Sequence, residues 1–133
     1  YLKCTNFGFN IPPTAVIRGI VVEVELSQSV STSDVFDTAV RIVKGGTIQS
    51  TNRSNGAEWP VAALPPSNPG YRAYGGSSDL WGTTWTPSDI NSSNFGYAHA
   101  AQINVSAGNG VAVIDHVRIT VYYDLPGDLG AAF

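Results

Sequence analysis

The longest alternation of apolar and polar positions runs from Val16 to Leu26, "VIRGIVVEVEL". Val16, Ile20, Val22, Val24 and Leu26 fall on one face, which Arg18 interrupts near its start. Ile17, Gly19, Val21, Glu23 and Glu25 fall on the other, which ends charged and therefore wet. A second stretch, Val111 to Tyr123, "VAVIDHVRITVYY", sets Val111, Val113, Val117, Ile119, Val121 and Tyr123 on one face together with Asp115. His116, Arg118, Thr120 and Tyr122 lie opposite. Such faces predict two antiparallel strands, each buried on one side, with Ile20, Val22, Val24, Val117, Ile119 and Val121 inside. Asp115 then points at the core, where an acid needs backbone N–H groups or an arginine, such as Arg18 or Arg41.

The two stretches also resemble each other. "NFGF" (Asn6–Phe9) precedes the first and "NFGY" (Asn94–Tyr97) the second, which reads as a pseudo-repeat: an NFG corner, a short strand, a turn, then a long core strand. "IPPT" (Ile11–Thr14) supplies the turn in one copy and "SAGNG" (Ser106–Gly110) in the other. Between the copies, Phe36–Lys44 is a further strand ended by Gly45-Gly46, and Thr47–Thr51 is a short one. Residues 52–79 read as loop, broken by Pro60, "LPPSNPG" (Leu64–Gly70) and "GGSS" (Gly75–Ser78). One helix signal occurs, "TPSDINS": Thr86 suits an N-cap, Pro87 the first helical position, and Asp89 closes a capping box, predicting about two turns. The sum is an all-β antiparallel two-sheet sandwich with one short helical turn, spanning residues 1–123, with 124–133 as a C-terminal tail.

Composition narrows the function classes. The chain has 133 residues, of which 13% are charged, and carries a net charge of −3. It lacks the basic runs that phosphate contacts demand, so nucleic-acid binding is disfavoured. No apolar run approaches the length of a membrane span, and the opening residues carry no signal-peptide pattern, so none is expected in this stretch. Cys4 alone forms no intramolecular disulfide, and with His99 and His116 the only histidines a structural zinc site has too few ligands. There is no methionine, and Tyr1 begins within a strand-like stretch, so the chain is expected to be processed or a piece of a longer one.

No catalytic constellation stands out. Asp115-His116 is the sole acid–histidine neighbour pair, but successive strand residues point apart and no nucleophile motif accompanies them. Glu58, Asp79 and Asp89 are candidate glycosidase carboxylates only in the sense that any acid-bearing chain offers pairs. Asp34 and Asp37 lack an oxygen-ligand loop for calcium, and a solvated loop is the default. Lys44-Gly45-Gly46-Thr47 lacks the glycine spacing of a phosphate loop. Asn52, Asn91 and Asn104 begin N-x-S triplets of a kind that so Ser- and Asn-rich a chain produces by chance. The expectation is a non-enzymatic domain with no cofactor and no metal.

That leaves "SDLWGTTWTPSDINSSNFGY" (Ser78–Tyr97), which holds two of the three tryptophans and no basic residue. Trp81, Trp85, Tyr71, Tyr74, Asp79 and Asn91 could compose a sugar-stacking platform. The opposing expectation is that Trp81 is buried beneath the Thr86-capped turn and against Phe95, with Trp85 nearer the rim.

Four strings, "YLKCTNFGFNIPPTAVIRGIVVEVEL", "VRIVKGGTI", "YGGSSDLWGTTWTPSDINSSNFG" and "IDHVRITVYY", together resemble a domain family of tailed-bacteriophage virion proteins and prophage regions. Its recurring pattern is NFGF-x-IP, I-x-G-I-x-V, V-x-L/I-V-K-GG, YGG-x-x-DLWG-x-x-WTP-x-DIN-x-x-NFG and a closing VDHIRITVYY strand. The matches extend from Tyr1 to Tyr123. The resemblance implies a jelly-roll-like sandwich used as a capsid decoration (cement) module or a tail or fibre component. Its implied partners are other virion proteins, such as the major capsid or tail protein, and further copies of itself. It also implies that Asp79, Leu80, Trp81 and Gly82 hold the architecture. Members of the family usually carry an extra leading strand, whose absence before Tyr1 fits the expectation of a piece of a longer chain, and the "ALPPSNPG" loop is this sequence's own. The alternative is a carbohydrate-binding or host-adsorption module reading a surface glycan, and a weaker one is a secreted bacterial adhesion domain.

Overall fold

The structure is a computed structural model and describes residues 1–29, 33–61, 70–105 and 110–127. Its strands are β1 (Leu2–Thr5), β2 (Val16–Gln28), β3 (Ser33–Lys44), β4 (Thr47–Ile48), β5 (Tyr71–Gly76), β6 (Gly96–Val105) and β7 (Ala112–Asp124), with a helix α1 (Pro87–Asn91) between β5 and β6. They form two antiparallel sheets, ordered β1-β6-β3-β4 and β5-β2-β7. Every connection except the β3–β4 hairpin passes from one sheet to the other, so the chain is wrapped around a single core. The fold is the expected all-β two-sheet sandwich.

The core lies where β2 faces β3 and β6. Ile20, Val22, Val24 and Leu26 are almost wholly enclosed and cluster with Val35, Val40, Ile42 and Tyr97. Alternation therefore set the right face for most of β2, but bulges changed its phase at both ends of the β2–β7 ladder. Between Ile17 and Gly19 the register slips at Arg18, which places Ile17 inside and leaves Val16 and Arg18 outside, the reverse of the sequence expectation. An extra residue flips every side chain beyond it to the opposite face.

The second slip corrects the reading of Asp115. Glu25 pairs with His116 and Leu26 with Ile114, so Asp115 is the unpaired residue of a bulge and is exposed. Ala112 and Ile114 take the inward positions, while Val111 and Val113 lie outside. Neither arginine named for Asp115 reaches it: Arg18 pairs with Asp124, and Arg41 bonds the carbonyls of Gln49 and Ser50. Val117, Ile119 and Val121 pack on the core as expected, and Tyr123, at the strand end, is exposed.

Residues 52–79 are more ordered than their composition suggests. β5 lies within them, and the segment before it bonds the free edge of β3: Arg53 N–H to the Val40 carbonyl (2.8 Å) and Trp59 N–H to that of Val35 (2.8 Å). It then crosses to the other sheet, where the Pro60 carbonyl accepts from Gln28 N–H at 2.8 Å. The 64–69 part of the proline-rich loop and the 106–109 turn lie outside the described residues.

The pseudo-repeat is not a repeat of structure. Asn6–Phe9 is a loop, with Asn6 and Gly8 in left-handed conformations (φ 63° and 77°), and no strand separates it from β2. The second NFG motif instead runs straight into β6. The two motifs are brought side by side: Asn6 N–H bonds the Ser93 carbonyl at 2.9 Å, and Phe9 meets Phe95 edge-on at 5.8 Å.

Candidate functional site

The stretch from Asp79 to Asn91 folds as a rigid corner. Asp79 accepts two bonds from the Arg53 guanidinium (2.7 and 2.8 Å), and its Oδ1 also receives the Trp81 N–H at 2.8 Å. The Arg53 bonds outweigh partial burial and, with the Trp81 N–H, hold the Asp79 carboxyl below its ordinary range. That N–H bond closes an Asx turn and supports Trp81 at φ 57°, a left-handed conformation that a bulky residue seldom takes. Gly82 follows at φ 70°, where a side chain would strike Thr51.

Trp81 is fully buried, and its Nε1 donates to the Ile20 carbonyl at 3.0 Å. Trp85 is also buried, at 9% exposure, and its Nε1 donates to Leu80 O at 2.9 Å. The edge-on contact with Phe95 belongs to Trp85 (5.4 Å), where the sequence had assigned it to Trp81. Helix α1 starts as read, with the Thr86–Asp89 capping box and Pro87 in the first turn, but has five residues where about two turns were expected. Asn91 binds Ile11 like a paired strand, accepting from its N–H (2.7 Å) and donating to its carbonyl (2.9 Å).

The six candidate platform residues are therefore not assembled into a platform. Trp81 and Trp85 are interior, Asp79 and Asn91 are occupied by Arg53 and Ile11, and the two tyrosines point apart. Tyr71 and Tyr74 are three residues apart on β5, which strand alternation sends to opposite faces. Tyr71 lies outside, its hydroxyl 2.7 Å from His116 Nδ1 and its ring under the Arg118 guanidinium at 3.8 Å. Tyr74 is inside.

Inside, Tyr74 meets a polar cluster that the sequence reading missed. A bulge between Asp37 and Ala39 turns Asp37 into the sandwich, where its side chain is wholly enclosed. Asp37 Oδ1 accepts from Trp59 Nε1 (2.8 Å) and His99 Nε2 (2.7 Å), and Oδ2 from the Tyr74 hydroxyl (2.7 Å). His99 Nδ1 in turn lies 2.9 Å from the Tyr97 hydroxyl. A carboxylate only accepts, so His99 Nε2 is the donor in the bond to Asp37. Burial alone would raise the Asp37 carboxyl, but the bonds from His99, Tyr74 and Trp59 outweigh it and hold it below its ordinary value. Burial, followed by the bond to Asp37, pushes the Tyr74 hydroxyl far up. Asp37 was read as a loop acid; a lone acid in a strand pattern was the available signal.

Chemically, this cluster is an Asp–His–Tyr chain with both imidazole nitrogens engaged and His99 almost fully enclosed. It ties β3, β5, β6 and the Trp59 segment together across the two sheets. Of the other acids, Asp34 is exposed, Glu58 accepts from Gln28 at 2.7 Å, and Asp89 is held in the capping box. Among the described residues no group of three His, Cys, Asp or Glu side chains is placed to hold a metal ion. No family model, curated protein or solved structure matches the chain.

Proposed function

We propose that the chain is a non-enzymatic structural module of a bacteriophage particle, either a capsid decoration protein or a tail or fibre component. The proposal starts from the resemblance of its NFGF, DLWG-x-x-WTP-x-DIN and closing-strand motifs to virion domains. The observation that supports it is the internal use of those motif residues. Asp79, Trp81, Trp85, Asp89 and Asn91 all bond or pack against the chain itself. Residues spent on holding a corner are scaffold, and a scaffold shared across virion proteins suits a module whose partners differ from particle to particle. Decoration adds buried area across capsomer seams, for which a compact, weakly charged sandwich is suited. No helix among the described residues is long and apolar enough to cross a membrane. The partners expected are the major capsid or tail protein and further copies of the chain.

The test is quantitative mass spectrometry of phage particles purified from a host carrying this gene. Stoichiometric recovery with capsid or tail protein is the expected result. Recovery only in the host's soluble or secreted fraction overturns the assignment.

A further inference from the structure

A cleft of about 590 Å³ opens where the end of β7 meets the first bulge of β2, lined by Arg18, Ser77, Ser78, Tyr122, Tyr123 and Asp124 among others. Its size is that of a small-molecule site. Tyr122 and Tyr123 are 43% and 40% exposed, among the large aromatic side chains left outside the core. Neither their hydroxyls nor those of Ser77 and Ser78 bond another described residue. Arg18 and Asp124 pair with each other across the β2–β7 ladder, which leaves the cleft with donors and acceptors of both signs and no net charge.

The wall of this cleft is held in place. Gly19 passes so close under Ser77 that a Cβ there would come within 2.2 Å of the Ser77 carbonyl carbon. Just beyond, the Ile20 N–H bonds the Asp79 carbonyl at 2.9 Å, and Asp79 is itself clamped by Arg53. The two serines are thus presented by a loop fixed at its far end, and binding there would require little ordering.

We infer that this cleft binds a neutral glycan chain. Successive residues of β7 point to opposite faces, so the ring of Tyr122, on the outer face across Gly19 from Ser77, is the one that offers a flat apolar surface to the C–H side of a pyranose, at small cost in side-chain entropy. The serine and tyrosine hydroxyls both donate and accept, and an arginine–aspartate pair presents a donor fork beside an acceptor, which matches vicinal sugar hydroxyls. A phosphate or other strong anion would meet the Asp124 carboxylate. This site shares no residue with the aromatic set around Trp81, and the inference does not rest on the particle assignment, since a free module and a particle-borne one present the same cleft.

The experiment is a screen of the intact chain on an array of bacterial surface polysaccharides, joined to NMR titration with maltoheptaose, cellohexaose and chitohexaose. Binding to at least one glycan is expected, with amide shifts centred on Arg18, Ser77, Ser78, Tyr122 and Tyr123. Tyr122→Ala should weaken it about tenfold, Tyr122→Phe much less, and Val113→Thr at the other end of β7 not at all. If Tyr122→Ala lowers the melting temperature, Ser78→Ala at unchanged stability serves as the second reading and should also weaken binding. No binding to any of these glycans overturns the inference, as do shifts centred elsewhere or equal affinity of the Tyr122→Ala and Ser78→Ala variants with the parent. Absence from phage particles together with glycan binding would overturn only the proposed function.

Discussion

Strands β2 and β7 carry similar apolar alternations, pair with each other along their length, and sit at different depths. Ile20, Val22 and Val24 are each 0% exposed, while their direct cross-strand partners Val121, Ile119 and Val117 are only half-buried. All six face the same core. The difference is neighbours: β2 has β5 on its other side, whereas β7 is the edge of its sheet. Alternation encodes which face is apolar, and a strand's rank within the sheet decides how dry that face becomes. The acids make a parallel contrast. A bulge in β3 turns Asp37 inward, and a bulge in β7 leaves Asp115 in water.

The strongest way to break this contrast is to place a charge on each strand of one pair. Val22→Asp should leave no cooperatively folded protein, because an unpaired buried charge costs on the order of 5 kcal/mol, comparable with a domain's whole stability. Ile119→Asp should still fold, with a lowered melting temperature, since its carboxylate reaches water at the edge. Equal circular-dichroism melts for the two would end the distinction between centre and edge.

Next in size is the cover that Trp81 gives β2. Trp81→Ala should cost about 3–5 kcal/mol, as truncation of enclosed large aromatics does, and Trp85→Ala less, because its ring already lies nearer the surface. Chemical denaturation measures both, and a larger loss at Trp85 would contradict the packing described for the corner.

For the acids, Asp37→Asn should cost about 3 kcal/mol, since Trp59, His99 and Tyr74 lose a charged acceptor they share in a dry site. Asp115→Asn should stay within about 0.5 kcal/mol of the parent. A substantial loss at Asp115 would revive the inward register.

The smallest effect is pH-dependent. The folded Asp37 carboxyl titrates below its ordinary value, so its contribution is complete above the unfolded pKa of about 3.9 and is lost as pH falls through the lower folded value. Asp79, lowered by Arg53, acts in the same window. Melting temperature should therefore fall below about pH 4, and Asp37→Asn should flatten that acid limb. An acid limb unaltered in Asp37→Asn would show that the carboxyl is not ionised in the folded state.

Much of the fold was legible. Alternation is strong in β2 because its residues are apolar every second position from Ile20 to Leu26, and the Thr86–Asp89 box is local chemistry with a known geometry. The burial of Trp81 followed from its place between a tight turn and a capped helix. β5 escaped notice because "YRAYGG" has neither a clean period nor a β-branched residue, and its pairing with β2 supplies what its sequence lacks. Asp37 escaped because a bulge of one extra residue, Thr38, reverses the direction of an acid without leaving a mark in composition. The platform around Trp81 dissolved for a related reason: nearness in sequence placed six polar and aromatic residues together, and each found its partner elsewhere in the chain.

The sequence by itself determined the all-β class, the two long strands with their apolar faces, the capped turn and the buried tryptophan. Each of these rests on interactions within a few residues or on a period that survives any arrangement of neighbours. Only the tertiary structure decided which strand is central, where the bulges fall, which acid is enclosed, and that Tyr122 and Tyr123 stand beside Ser77 and Ser78. Those outcomes depend on pairing between segments far apart in the chain, and a one-residue slip in such a ladder exchanges inside for outside.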